Sequence, residues 1–193
     1  GAAVTSFVAT DNFAVAKVQG AVAATLIADG DAIIYVTGNQ AQSTGQERRN
    51  GFLSAFKAAR PNSEVIEVPT EWNSQQAQEG VEAVLNSRSD VKMVANAWDG
   101  GTMGAKAALE NLGFAAGDVK LVGFDGAGDA IEAMDAGWVH ADTAQMLYQM
   151  GYQGIKAAAA AARGEAVSAR IDTGFFLVTP STSGAYKKMV GIE

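Results

Sequence analysis

Short, nearly unbroken apolar runs alternate along this chain with longer stretches in which apolar residues return every three or four positions. The runs lie at 32–36 (AIIYV), 64–68, 91–95, 119–124 and 139–143. Strands buried on both faces of a sheet read as continuous apolar runs rather than alternating ones. The stretches between them predict helices. One spans 12–29, behind an Asp11 N-cap and stopped by Gly30. A second spans 46–59, with Phe52, Ala55, Phe56 and Ala59 on one face and Pro61 closing it. Others span 75–86 with Val81, Val84 and Leu85 inward, 102–112 between Gly100-Gly101 and Gly113, 130–136, and 147–163. The six alanines at 157–162 are strong helix formers. Residues 3–9 alternate weakly and predict a short strand. Residues 171–178 predict a final strand, interrupted at Thr173-Gly174, before a tail at 180–193.

Strand and helix therefore alternate with short connections. This order predicts an α/β fold of three layers, a doubly wound parallel sheet with helices on both faces. In such sheets ligands bind in the crevice outside the carboxyl ends of the strands. The stretch Lys120-Leu-Val-Gly-Phe-Asp125-Gly126 shows the arrangement plainly: an apolar strand ending in a carboxylate and a glycine.

Composition narrows the function. The 48% hydrophobic and 18% charged content is that of a folded domain, and 193 residues suffice for one domain with appendages. A net charge of −7 argues against nucleic acid as a partner, because phosphate backbones need a basic face. No apolar run is long enough to cross a membrane. The absence of cysteine excludes disulfides and thiolate chemistry but leaves the compartment open. His140 is the single histidine, so a histidine-rich zinc site is excluded, whereas a carboxylate-only Mg²⁺ or Ca²⁺ site is not. No phosphate-binding glycine loop, nucleophile elbow or nucleophile–base pair is present. No catalysis and no cofactor are expected. The first residues carry neither a charged leader segment nor a leader-length apolar core, so an exported form is expected to take its leader from outside these residues.

The candidate chemistry collects just past the strand ends: Thr37, Asn39, Gln40, Gln42 and Arg48-Arg49 after the first run, Trp72 after the second, Asn96, Trp98 and Asp99 after the third, Asp125 after the fourth and Gln145 after the fifth. Guanidinium, carboxylate and amide groups bind hydroxyls in pairs, and aromatic faces cover the C–H face of a sugar ring. The set suits a polyhydroxylated ligand. Each residue also has a plainer reading: Trp72 or Trp98 as partial core, one of Arg48 and Arg49 as solvated surface, Asp99 as a helix N-cap, Asp125-Gly126 as a turn. Trp138 and His140 read as structural.

These residues also carry a resemblance. Thr10-Asp11-Asn12 before a helix, Gln46-Glu-Arg48-Arg-Asn-Gly51-Phe52, Thr70-Glu-Trp72 and Ala95-Asn-Ala-Trp98-Asp99 with Met103-Gly104-Ala105 follow in order. Val122-Gly-Phe-Asp125-Gly126, Ala144-Gln145 and Arg163-Gly164-Glu165 complete the series. Over nearly its whole length the chain resembles the C-terminal portion of periplasmic sugar-binding proteins of the ribose-binding type, which capture substrate for ABC importers. The resemblance implies a type I periplasmic-binding-protein lobe with flavodoxin-like strand order. It implies that Arg48 bonds sugar hydroxyls, that Trp72 stacks on the ring, and that Asp125 and Gln145 supply a carboxylate and an amide. Thr10 falls at a hinge position able to reach ligand. Trp98-Asp99 stands where the family often has Asn-Asp, which implies a different or less hydrophilic ligand than ribose.

Family members have two lobes with ligand between them, so the resemblance further implies that most of an N-terminal lobe is absent here. Residues 1–10 would be the last strand of that lobe, 11–145 the C-terminal ligand-binding lobe, 146–170 a helix and crossover packing on the absent lobe, and 171–193 the final strand and tail. The implied partners are a sugar or polyol, the membrane permease of an importer, and the absent lobe or a dimer mate covering 147–163. The implied location is the periplasm. The effector-binding core of a lactose-repressor-type regulator shares this fold and is the competing reading.

Overall fold

The computed structural model describes residues 4–192; the start of the expected 1–10 segment and the last residue of the tail lie outside the described residues. Six strands form the main sheet in the order β3 (Val65–Pro69), β2 (Ala32–Thr37), β4 (Val91–Asn96), β5 (Lys120–Asp125), β6 (Val139–Gln145), β8 (Phe175–Val178). The first five are parallel, in the expected flavodoxin-like order, and β8 closes the edge antiparallel to β6. Every residue of β2 is buried, as its unbroken apolar run requires.

Helices α2 (Ser43–Ala59) and α3 (Ser74–Ser87) carry the chain from β2 out to β3 and back across to β4. Right-handed crossovers running in opposite directions along a sheet put their helices on opposite faces. Accordingly α1 (Asn12–Thr25) pairs with α2, while α3 pairs with α4 (Asp99–Asn111), beside α5 (Gly128–Asp135). The α1–α2 crossing is close enough to require glycine. A Cβ on Gly20 would stand 2.4 Å from the Phe52 carbonyl oxygen, and one on Gly51 2.3 Å from that of Phe13. Beneath this crossing Tyr35, Phe52 and Phe56 stack at centroid separations of 4.4 and 5.4 Å, all fully buried.

A second unit stands apart from this sheet. β1 (Phe7–Ala9) pairs in parallel with β7 (Arg170–Asp172), and α6 (Leu147–Ala162) packs on β1. Of α6 only Ala157 is buried, while Leu147, Tyr148, Tyr152 and Ile155 are exposed. The run expected as one strand over 171–178 is thus two strands in two sheets. Gly174, at φ 73°, turns the chain between them. Other boundaries move as well. The helix expected from 46 begins at Ser43, and the one expected to run to 29 ends at Thr25. The tail folds into α7 (Ser183–Val190), which buries Tyr186 and ends at Gly191 in the left-handed conformation.

Polar groups are built into the core under the carboxyl ends of the strands. Gln19 of α1, fully buried, donates from Nε2 to the carbonyls of Asn96 (2.8 Å) and Gly123 (2.9 Å). Asp142 of β6 and Asp99 of α4 converge on Gly123, where a Cβ would meet Asp142 Oδ2 at 2.3 Å and Asp99 Oδ1 at 2.6 Å. Among the described residues neither Asp142 oxygen has a hydrogen-bond donor. Burial and the neighbouring carboxylates favour the uncharged form, pushing Asp142 up to about 6 and Asp99 well above the usual carboxylate range. The folded chain therefore holds more protons here than the unfolded chain does. The contribution of Asp142 to stability is complete below about pH 4, its unfolded value, and is lost as pH rises through about 6. Asp142→Asn, which keeps shape and cannot ionise, is expected to gain in Tm relative to the parent as pH rises from 4 to 7. Thermal unfolding followed by circular dichroism across that range checks it, and a constant difference would show that Asp142 does not titrate there.

Candidate functional site

The parallel register brings the carboxyl ends of β2 to β6 to one edge, with Val36 beside Asn96 and Asp125 beside Ala144. Gln42, Thr44, Arg48, Trp72, Trp98, Asp125 and Gln145 line a cavity of about 280 Å³ there. Five of the seven residues expected in the site, Arg48, Trp72, Trp98, Asp125 and Gln145, thus meet at one place, each from a different strand end or the helix that follows it.

Arg48 organises the floor. α2 aims it inward and buries it, with Nε donating to Asn12 Oδ1 at 2.9 Å and Nη1 to the Ala97 carbonyl at 2.7 Å. Nη1 also pairs with Asp125 Oδ1 at 2.9 Å. The guanidinium lies 3.9 Å from the Phe124 ring centroid and 5.8 Å from that of Trp72. Gln145 Nε2 donates to the same Asp125 Oδ1 at 2.6 Å. Burial pushes the Asp125 carboxyl up, and Arg48 and then Gln145 oppose the shift. Among the described residues Arg48 Nη2 has no protein hydrogen-bond partner. The floor therefore keeps a donor for a ligand.

The walls are aromatic. Trp72 and Trp98 meet edge to face, with centroids 5.3 Å apart and planes at 87°. Trp72 donates from Nε1 to Gln42 Oε1 at 2.7 Å, which fixes the orientation of its ring. Gly38 and Gly101 give the rings room: a Cβ on Gly38 would stand 2.1 Å from Trp72, and one on Gly101 2.8 Å from Trp98. Among the described residues only two non-glycines have positive φ, Trp72 at 58° and Asp125 at 121°, and both line the cavity. Such conformations cost about 1–3 kcal/mol each and persist where the surroundings impose them, most often at functional sites.

Two of the expected residues do not line the cavity. Thr10 is buried in the segment joining β1 to α1, two positions before the Asn12 that anchors Arg48. Asp99 is 2% exposed and lies under the floor, in the first turn of α4, with Trp98 at the N-cap position instead. Its carboxylate accepts from the amides of Phe124 (3.2 Å) and Ala127 (2.7 Å). Sequence reasoning left out Thr44 and Asn12, and also Tyr186, whose hydroxyl donates to the Gly126 carbonyl at 2.9 Å. Gln42 stood out after the first run but was not placed in the site. The side chain of Gln42 makes no N-cap hydrogen bond, so no capping signal marked the true start of α2. Among the described residues no group of three or more His, Cys, Asp or Glu is placed to hold a metal.

Residues 1–166 match the family profile described as a periplasmic binding protein domain. The D-allose-binding periplasmic protein of Escherichia coli K12 is 34% identical over 157 residues, 81% of this chain and 50% of that protein. The ribose import binding protein of Salmonella typhimurium is 31% identical over 175 residues, 91% of this chain and 58% of that protein. An ABC transporter solute binding protein from Bacillus halodurans, solved with bound myo-inositol, superposes with a TM-score of 0.88 at 25% identity, covering 96% of this chain and 64% of that one. The chain spans about half the length of the curated relatives it matches. With residues 1–166 matched to the profile and the whole sheet superposing on a solved relative, the chain belongs to the periplasmic binding protein family.

Proposed function

We propose that the cleft captures a sugar or polyol without chemistry, as one lobe of a two-lobed solute-binding protein that delivers its ligand to the membrane permease of an ABC importer in the periplasm. The observation that carries this reading is the Arg48–Asp125–Gln145 cluster, hydrogen-bonded within itself, open on one side, and walled by Trp72 and Trp98. Paired donors and acceptors bind vicinal hydroxyls, and an indole face covers the ring carbons between them. The relatives' names point to the same class: they are binding proteins for D-allose and ribose, and the solved neighbour holds myo-inositol. The second indole, Trp98, favours a ligand with more exposed C–H surface than ribose.

The cavity is just below the range of about 300–1,000 Å³ usual for enclosed ligand sites, and it opens on one side. A second lobe facing it would complete the enclosure. The exposed Leu147, Tyr148, Tyr152 and Ile155 of α6 give that lobe an apolar surface to cover. A dimer mate on the same face is the other way to cover it.

The test is calorimetric titration of D-allose, D-ribose and myo-inositol into a two-lobed protein that carries this chain as its second lobe. Asp125→Asn is expected to weaken binding at least a hundredfold with Tm changed by only a few degrees, since asparagine fits the same space and tolerates positive φ. Trp72→Ala is expected to cost about 1–3 kcal/mol of binding, the worth of a buried aromatic face. Unchanged affinity in either variant would remove that residue from the site. Without a second lobe the chain is expected to bind these sugars weakly. It is also expected to bind the apolar dye ANS, with the dye signal lowered by Ile155→Lys and lost in the two-lobed protein.

A further inference from the structure

We propose that Asp99 is a positioning residue: it touches no ligand and instead holds Asp125 in its cleft conformation by clamping the two amides that bracket the turn. The consequence for ligand capture rests on the reading of the cleft as a carbohydrate site; the clamp itself does not. Asp99 reaches the turn from beneath, from the first turn of α4. Oδ1 accepts from the Phe124 amide at 3.2 Å and Oδ2 from the Ala127 amide at 2.7 Å. Between those amides lie the only two consecutive positive-φ residues among the described residues, Asp125 at 121° and Gly126 at 78°. Glycine adopts such values freely and aspartate does not. Something must therefore hold residue 125, and the bracketing carboxylate is placed to do so. Tyr186 of α7 supplies a third restraint through its bond to the Gly126 carbonyl. With the turn fixed, the Asp125 carboxylate is delivered to Arg48 and Gln145; with the turn free, its backbone relaxes and the carboxylate swings away from both.

Asp99 does this among other titratable groups. The charged and titratable groups around it are Asp142 from β6, Asp125 from β5, Arg48 from α2 and Tyr186 from α7. Asp142 converges with Asp99 on Gly123 and has no other donor among the described residues. Two carboxyls packed so closely away from water retain a proton between them. The two amides can only donate, and both Asp99 oxygens accept from them. Thr102 Oγ1, 3.4 Å from Asp99 Oδ1, lines the same spot.

The experiment is amide hydrogen exchange by NMR on this chain, comparing the parent with Asp99→Ala, Asp99→Asn and Asp142→Asn, together with titration of D-allose into the two-lobed protein bearing the same substitutions. In Asp99→Ala, exchange at Phe124 and Ala127 is expected to rise at least tenfold, with Ile33, Ile34 and Val94 unchanged. Asp99→Asn keeps one acceptor oxygen, so it is expected to restore protection at one of the two amides. Asp142→Asn, which leaves Asp99 in place, is expected to keep both protected. D-allose affinity is expected to fall at least tenfold in Asp99→Ala and to recover partly in Asp99→Asn. Protection of both amides in Asp99→Ala, or a rise spread evenly over the sheet, would overturn the proposal. So would local loss of protection with D-allose affinity intact. If Asp99→Ala does not fold, the one-amide pattern of Asp99→Asn decides. If neither parent nor variant takes D-allose, D-ribose or myo-inositol, the carbohydrate reading fails while the exchange pattern still decides the clamp.

Discussion

The cleft depends on one ion pair, between a buried arginine and a half-buried carboxylate. Arg48 and Asp125 come from opposite sides of the strand-order reversal, and their contact bridges it. Further hydrogen bonds offset the cost of taking such a pair out of water. Here Asn12, the Ala97 carbonyl and Gln145 supply them, drawing in α1, the β4 end and the β6 end. The pair thus explains why residues so far apart in sequence are held in one geometry. It also explains why a ligand meeting the floor finds directions already set.

Beneath the pair the structure accepts costs that a purely apolar core avoids. Two carboxyls share one buried spot, a glutamine spans two strands, and a non-glycine residue holds positive φ. Each opposes stability taken alone. They cluster under one edge of the sheet, while the core around Phe52, Phe56 and Met93 is apolar and fully buried. Strain and polar burial are concentrated where the cleft is, and the remainder of the domain supplies the stability that tolerates them.

Much of this was legible in the sequence. Buried parallel strands announce themselves as apolar runs, and their common direction brings whatever follows them to one edge. That is why Arg48, Trp72, Trp98, Asp125 and Gln145 were found together without coordinates. Asp99 shows where the logic stops. Adjacent residues at a strand-to-helix junction point in different directions, so Trp98 lines the cleft while its neighbour turns beneath it. The number of residues past a strand end does not say which side a side chain takes. The partition of 171–178 was equally hidden, because both halves are short and β-like and only Gly174 marks the change of sheet. Tyr186 lay in a tail whose helix has a low apolar content and no side-chain cap.

The small β1–β7–α6 unit is attached to the main sheet by three separate chain passages: 10–11, Met146 and 173–174. The first and last are not independent. The Asp11 amide and the Gly174 amide share Asp172 Oδ1, at 3.2 and 3.0 Å, and the Thr173 amide donates to the Ala9 carbonyl at 3.3 Å. Two of the three straps are thereby lashed together at one level, and a load on either is borne by both.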